Sequence, residues 1–165
     1  MSIIAVLVLT VAARSANAFC TPTQNSCQIQ SDPFVQPFIG ETFSLENAGQ
    51  FFAVDSAEMK VQVNIVSTFA PNLKKEVHVV NELRYSCGGS APQTFTTRAL
   101  TGKGPMTLSC DIGTCARTTC RVVILPGLDP VPNVQIQQIQ YMGTRGNGGL
   151  CFQNDRQCQV TKSSF

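Results

Sequence analysis

There is no tryptophan in this chain, one histidine (His78), and two tyrosines (Tyr85 and Tyr141). A single histidine leaves almost no room for a Ser-His-Asp or Cys-His catalyst, which needs an imidazole beside its nucleophile. His78 also sits between Val77 and Val79, where strand alternation points it away from its apolar neighbours. Without tryptophan there is little to stack a sugar, so a glycosidase built from two of the ten scattered carboxylates is not expected. Charge is scarce as well: Asp, Glu, Lys and Arg make up 13% of the chain, about half the ~25% of an ordinary soluble domain. With 12 Lys and Arg against 10 Asp and Glu, no basic stripe can replace condensed counterions, which argues against a nucleic-acid partner. Neither a CxxC pair nor an EF-hand spacing occurs, and Glu41, Asp55 and Glu58 are read as solvated loop charges, so no metal site or cofactor is expected. The sequence reads as non-enzymatic.

What is present begins with the apolar run Ile3–Ala13, which is too short to cross a bilayer as a helix. Ala16-Asn17-Ala18 follows, with small residues where a signal peptidase reads. Residues 1–18 are therefore expected to be a secretion signal cut before Phe19, although no Lys or Arg precedes the apolar run. Eight cysteines remain: Cys20, Cys27, Cys87, Cys110, Cys115, Cys120, Cys151 and Cys158. An even count behind an export signal predicts disulfides formed in an oxidising compartment, and a secreted, extracellular protein. Connectivity is open among about 105 pairings. Spacing suggests Cys20 with Cys27 and Cys151 with Cys158 as local loops, Cys110 facing Cys120 across a hairpin, and Cys115 reaching Cys87.

The remaining chain reads as strands. "MKVQVNIVSTF" alternates, putting Met59, Val61, Val63, Ile65 and Phe69 on one face. "KEVHVVNELRY" repeats the pattern with a slip before Leu83, and "PQTFTTRAL" and "GPMTLSCDI" supply two more strands. "TTCRVVILPG" is apolar on both faces and belongs inside a sheet. In "NVQIQQIQYM" the phase slips at Gln137-Gln138, as a β-bulge would make it. Only "SLENAGQFFAVDSAEMK" leaves room for a helical turn. Glycine and proline punctuate the strands at hairpin spacing. The expected fold is all-β: a single disulfide-stapled antiparallel β-sandwich, Ig-like or jelly-roll, over residues 46–165. Residues 19–45 would form a cysteine loop and an extended N-terminal arm, in which Pro33 and Pro37 weaken any ladder.

That arm carries Phe34, Val35, Phe38 and Ile39, an apolar set that could join a neighbour's sheet or serve as an edge strand of its own. A secretion signal, an apolar extended arm and a following sandwich together resemble extracellular fibril and pilus subunits with Ig-like folds. The resemblance implies assembly by donating an N-terminal strand, with copies of the chain as the partner. The expected function is a structural subunit of an extracellular filament, pilus-like fibre or coat. The alternative is a monomeric secreted β-sandwich that binds a lipid or another ligand. N-linked glycan acceptors are absent, whereas Thr94, Thr96, Thr97, Thr118 and Thr119 permit O-linked glycans.

Overall fold

The computed structural model describes residues 26–30, 33–111, 119–128, 131–141 and 148–152. Residues 1–18, expected to be a secretion signal, and Cys20, Cys115 and Cys158 lie outside the described residues. Ten strands occur among those described: β1 (Cys27–Gln30), β2 (Phe34–Gln36), β3 (Phe43–Ser44), β4 (Gly49–Asp55), β5 (Met59–Ala70), β6 (Lys75–Cys87), β7 (Gln93–Thr96), β8 (Met106–Asp111), β9 (Thr119–Gly127) and β10 (Asn133–Gln140). They form a six-stranded sheet ordered β3-β2-β1-β10-β9-β8 and a four-stranded sheet ordered β4-β5-β6-β7. Every ladder is antiparallel. Every pairing joins strands consecutive in the chain except that of β1 with β10, which ties the two ends of the fold together, and the chain changes sheet between β3 and β4 and between β7 and β8. The chain is thus the expected antiparallel, disulfide-stapled sandwich.

Alternation explains the core. Met59, Val61, Val63 and Ile65 of β5 are buried against Tyr85, Leu83 and Val80 of β6, and meet Val122, Ile124, Val134, Ile136 and Ile139 from the other sheet. β9 lies inside the sheet between β8 and β10, with Cys120, Val122 and Ile124 buried on its core face and Val123 and Leu125 half-buried on the other. The β10 phase slip is a bulge: the register skips Gln137, so Ile136 and Ile139 both reach the core. A matching bulge at Asn81 in β6 is the slip before Leu83.

Two segments differ from expectation. "GQFFAVD" is strand β4, since β5 offers it a full ladder partner and Phe51, Phe52, Ala53 and Val54 are all buried. "TFTTRAL" leaves strand after Thr96 for one helical turn, α1 (Thr97–Leu100). The Thr96 hydroxyl accepts the Ala99 N–H, a side-chain N-cap that satisfies an otherwise orphaned donor. Leu100 is thereby buried in the core while Ala99 stays exposed.

Past Ile65 and Val80 the β5–β6 hairpin continues beyond the main core. Here the buried side chains are Ala70, Val77 and Val79, which form a separate cluster with Val66 and with Val131 of the β9–β10 turn. Phe69 lies on the same side of β5 as the core residues, but with no core to cover it, it is 57% exposed. The sequence expectation that Phe69 shares the buried face is therefore corrected: beyond Ile65 the packed side of β5 is that of Val66 and Ala70, of the opposite parity, and Phe69 is left outside.

Candidate functional site

The arm residues come first, because strand donation would run through them. Far from standing free, the arm contributes β1, β2 and β3 to the six-stranded sheet. Gln28, Ile29 and Gln30 pair with Gln36, Val35 and Phe34, and Phe34 and Val35 pair with Ser44 and Phe43. Val35 and Phe38 are buried, Phe34 is half exposed and Ile39 is exposed. The Phe38 ring lies 5.1 Å from Phe152 and 6.5 Å from Tyr141 between centroids, and its N–H donates to the Cys151 carbonyl at 2.9 Å. The four residues thus do not share one exposed surface: Val35 and Phe38 are packed in their own sandwich, and Phe34 and Ile39 face outward. Prolines 33 and 37 shorten β2 to three residues without removing it from the sheet.

Disulfides lock this arrangement. Cys27 bonds Cys151, and Cys87 bonds Cys110. The local pairings suggested by spacing, Cys20 with Cys27 and Cys151 with Cys158, are overturned, as are Cys87 with Cys115 and Cys110 with Cys120. Cys110 and Cys120 do stand opposite each other in the β8–β9 register, but the bond of Cys110 crosses to the other sheet. The register was legible; the partner across the sandwich was not.

With the arm accounted for, the sheet edges are the remaining places where another chain could add. β3, at one edge of the larger sheet, has only two residues. At β4, Asp55 exchanges main-chain hydrogen bonds with Gly148, and a 3-10 turn at Leu150–Phe152 packs alongside. Gly149 makes that approach feasible: its φ of 114° suits glycine alone, and a Cβ there would stand 2.7 Å from the Ala53 carbonyl oxygen. β7 has four residues. The stretch of β6 beyond β7, Lys75–Asn81, carries Lys75 and Glu76, charges of the kind that discourage edge pairing.

β8 is different. Among the described residues it is the outer strand of the six-stranded sheet, with a ladder to β9 on one side only, and Met106–Cys110 holds no charge and no proline. Thr107 and Ser109 are exposed, Met106 and Leu108 half-buried. The Cys87–Cys110 bond fastens its far end to the opposite sheet, and no strand among the described residues pairs with its outer row of main-chain groups. Sequence reasoning placed these residues in a strand, yet no local signal marks it as an edge.

Several polar groups near the core have structural partners, whereas the buried Tyr85 hydroxyl and Asn81 Oδ1 make no hydrogen bond among the described residues. The Tyr141 hydroxyl donates to the Glu58 carboxylate at 2.9 Å, and Lys60 pairs with Asp55 at 3.4 Å. Glu82 and Arg84 form a second ion pair. His78 is half-buried beside the Val77–Val79 cluster. Among the described residues, no three His, Cys, Asp or Glu side chains are grouped to hold a metal ion, and no helix is long and apolar enough to cross a membrane.

No known protein family, curated protein or solved structure matches this chain. The edges and the buried groups therefore have to be read on their own chemistry.

Both tyrosines are buried. Burial pushes the Tyr85 hydroxyl up to about 12, with the neighbouring Cys120 and Asp111 groups adding to it. Tyr141 is raised further, first by burial and then by the Glu58 carboxylate that its hydroxyl binds. In the unfolded chain both would titrate near the ordinary value of 10.0. A raised folded pKa means that the stability contributed by the neutral phenols is complete below that value and drains away as pH climbs from 10 through 12 and above. Because the chain has no tryptophan, phenolate absorbance reads both tyrosines directly. Titration should show no ionisation near pH 10 and then a steep rise coinciding with loss of strand signal in circular dichroism. Phenolate forming at pH 10 in an intact fold would contradict the burial argument.

Proposed function

We propose that this protein is an exported, non-enzymatic structural subunit that associates with further copies of itself by strand addition at the β8 edge. The single observation behind this reading is a six-residue edge strand, pinned by a disulfide and free of charge from Met106 to Cys110. Edges of this kind invite pairing unless charge, proline or cover protects them, and the other edges of this sandwich carry such protection or are very short. In an added strand, main-chain hydrogen bonds supply affinity and the exposed Thr107 and Ser109 meet cross-strand neighbours. The low charge of the whole chain favours the same outcome, since few lysines and glutamates hold copies apart. Two disulfides accord with export to an oxidising compartment. The acceptor is β8, and the arm from Gln28 to Leu45 stays in its own sheet.

The test is the mass of the non-reduced protein in solution, by light scattering across a concentration series, and its appearance by electron microscopy. The wild type should exceed the monomer mass. The double variant Thr107→Lys and Ser109→Lys should be monomeric with an unchanged melting temperature, because like charges then face each other wherever two β8 strands meet. A wild type that stays monomeric over the whole series would end the proposal.

A further inference from the structure

The two sheets divide the charge of the chain unevenly. Strands β4 to β7 carry Asp55, Lys60, Lys75, Glu76, Glu82 and Arg84, and the outward side of their sheet holds the Lys60–Asp55 and Glu82–Arg84 ion pairs. The six strands of the larger sheet hold one cation, Arg121, and one acid, Asp111.

Glutamines stand where charges would be expected. Gln28 and Gln30 alternate with buried Cys27 and Ile29, and Gln135 lies between buried Val134 and Ile136. Gln138 and Gln140 flank buried Ile139, so all five turn away from the core, and Gln36 does the same opposite Gln28. The register sets them in rows across the strands. One row runs from Phe34 and Gln30 to Gln135 and Leu125, and the next from Gln36 and Gln28 to Gln138 and Val123. Gln30 Nε2 donates to Gln28 Oε1 at 3.0 Å, linking the two rows. The outer face of the larger sheet is thus covered with amides and nearly neutral, with Val123 and Leu125 half-buried beside them.

A β8 edge meeting its copy about a two-fold axis leaves neither edge open, so association there stops at two chains. A fibre or coat needs a further contact. We infer that the glutamine face is this contact, and that pairs of chains joined at β8 stack face to face on other pairs; the step rests on the edge pairing proposed above. Chemistry and area select a second copy as the occupant. An amide has both donors and an acceptor, and burying it is costly unless both are satisfied. An identical face supplies both, an apolar partner supplies neither, and a nucleic acid would find one arginine. Six strands about 4.8 Å apart, with rows spanning about five residues, give the face no more than roughly 400 Å² in projection. That falls short of the about 800 Å² per partner of a standard interface. Two copies joined at β8 offer a continuous face of twice the size, and such faces pack with their side chains interdigitated.

The experiment is the mass of the full, non-reduced chain by sedimentation and light scattering over a concentration series. Wild type should pass through two chains and go beyond. Gln30 and Gln36 are exposed and lie three and four strands away from β8. Gln30→Lys with Gln36→Lys should therefore keep its melting temperature and its pairing, but stop at two chains or need at least about tenfold more protein to exceed them, since lysines would oppose one another across the stack. Thr107→Lys with Ser109→Lys, on β8 itself, should give single chains. A wild type held at two chains, or a glutamine variant that assembles as wild type does, would overturn the stacking and leave the edge pairing standing. Pairs that go no further but pellet on insoluble neutral glucan would overturn it too, and reassign the face to a sugar polymer. Single chains of wild type at every concentration would end both readings. A glutamine variant found as single chains, beside an assembling wild type, would uphold the face as the contact and end the edge reading.

Discussion

Replacing Cys27 and Cys151 together by alanine is expected to destabilise the fold by about 5 kcal/mol, and replacing Cys87 and Cys110 together by about 3 kcal/mol. The difference comes from loop length. One bond closes a separation of 124 residues and the other 23, and a longer loop removes more conformations from the unfolded chain. Against a total stability of about 5–15 kcal/mol, the first loss brings a domain near unfolding at room temperature. It also acts where the fold closes on itself. Cys27 opens β1, which pairs with the last strand, and Cys151 lies in the turn whose carbonyl holds Phe38. Urea unfolding of both double variants, with the remaining cysteines kept as they are, measures the two costs on one scale. Equal losses, or a greater loss from the shorter loop, would mean that native packing around the bonds outweighs chain entropy.

The second large effect is expected at Phe38→Ala, at about 3–5 kcal/mol. This ring is 2% exposed and meets Tyr141 and Phe152, themselves stacked edge to face at 5.5 Å, so its removal leaves a cavity that three elements cannot easily collapse. Its neighbour Ile39 is 76% exposed, and Ile39→Ala should change stability by no more than about 0.5 kcal/mol. The contrast bears on how copies associate. If the arm were a donated strand, Phe38→Ala would weaken assembly while leaving the monomer's melting temperature alone. A large fall in the melting temperature, with the β8 edge still able to pair, is the result expected of an arm that belongs to its own sheet.

Much of the sandwich was legible in the order of the residues because a strand's alternation is a local property. The apolar period in Met59–Ile65, the doubly apolar run in β9, and the slips at Asn81 and Gln137 each follow from side chains two residues apart sharing a face. The short helical turn at Thr97 was hidden because threonine and phenylalanine favour strands, and only the burial of Leu100 and the Thr96 cap favour a turn there. The room left for a helical turn in "SLENAGQFFAVDSAEMK" is not used, for the related reason that Gly49–Asp55 becomes strand once β5 lies beside it.

By itself, then, the sequence determined that this chain is an all-β, cysteine-rich, charge-poor domain with bulges at particular residues. Only the tertiary structure decided which strand lies beside which. That choice set Cys27 against Cys151, drew the arm into the larger sheet, packed Val66 and Ala70 in place of Phe69, and left β8 outermost among the described strands. Neighbours along a strand are separated by covalent geometry, whereas neighbours across a sheet are selected by the burial of the whole core at once, and edges and cross-sheet bonds exist only after that selection is made.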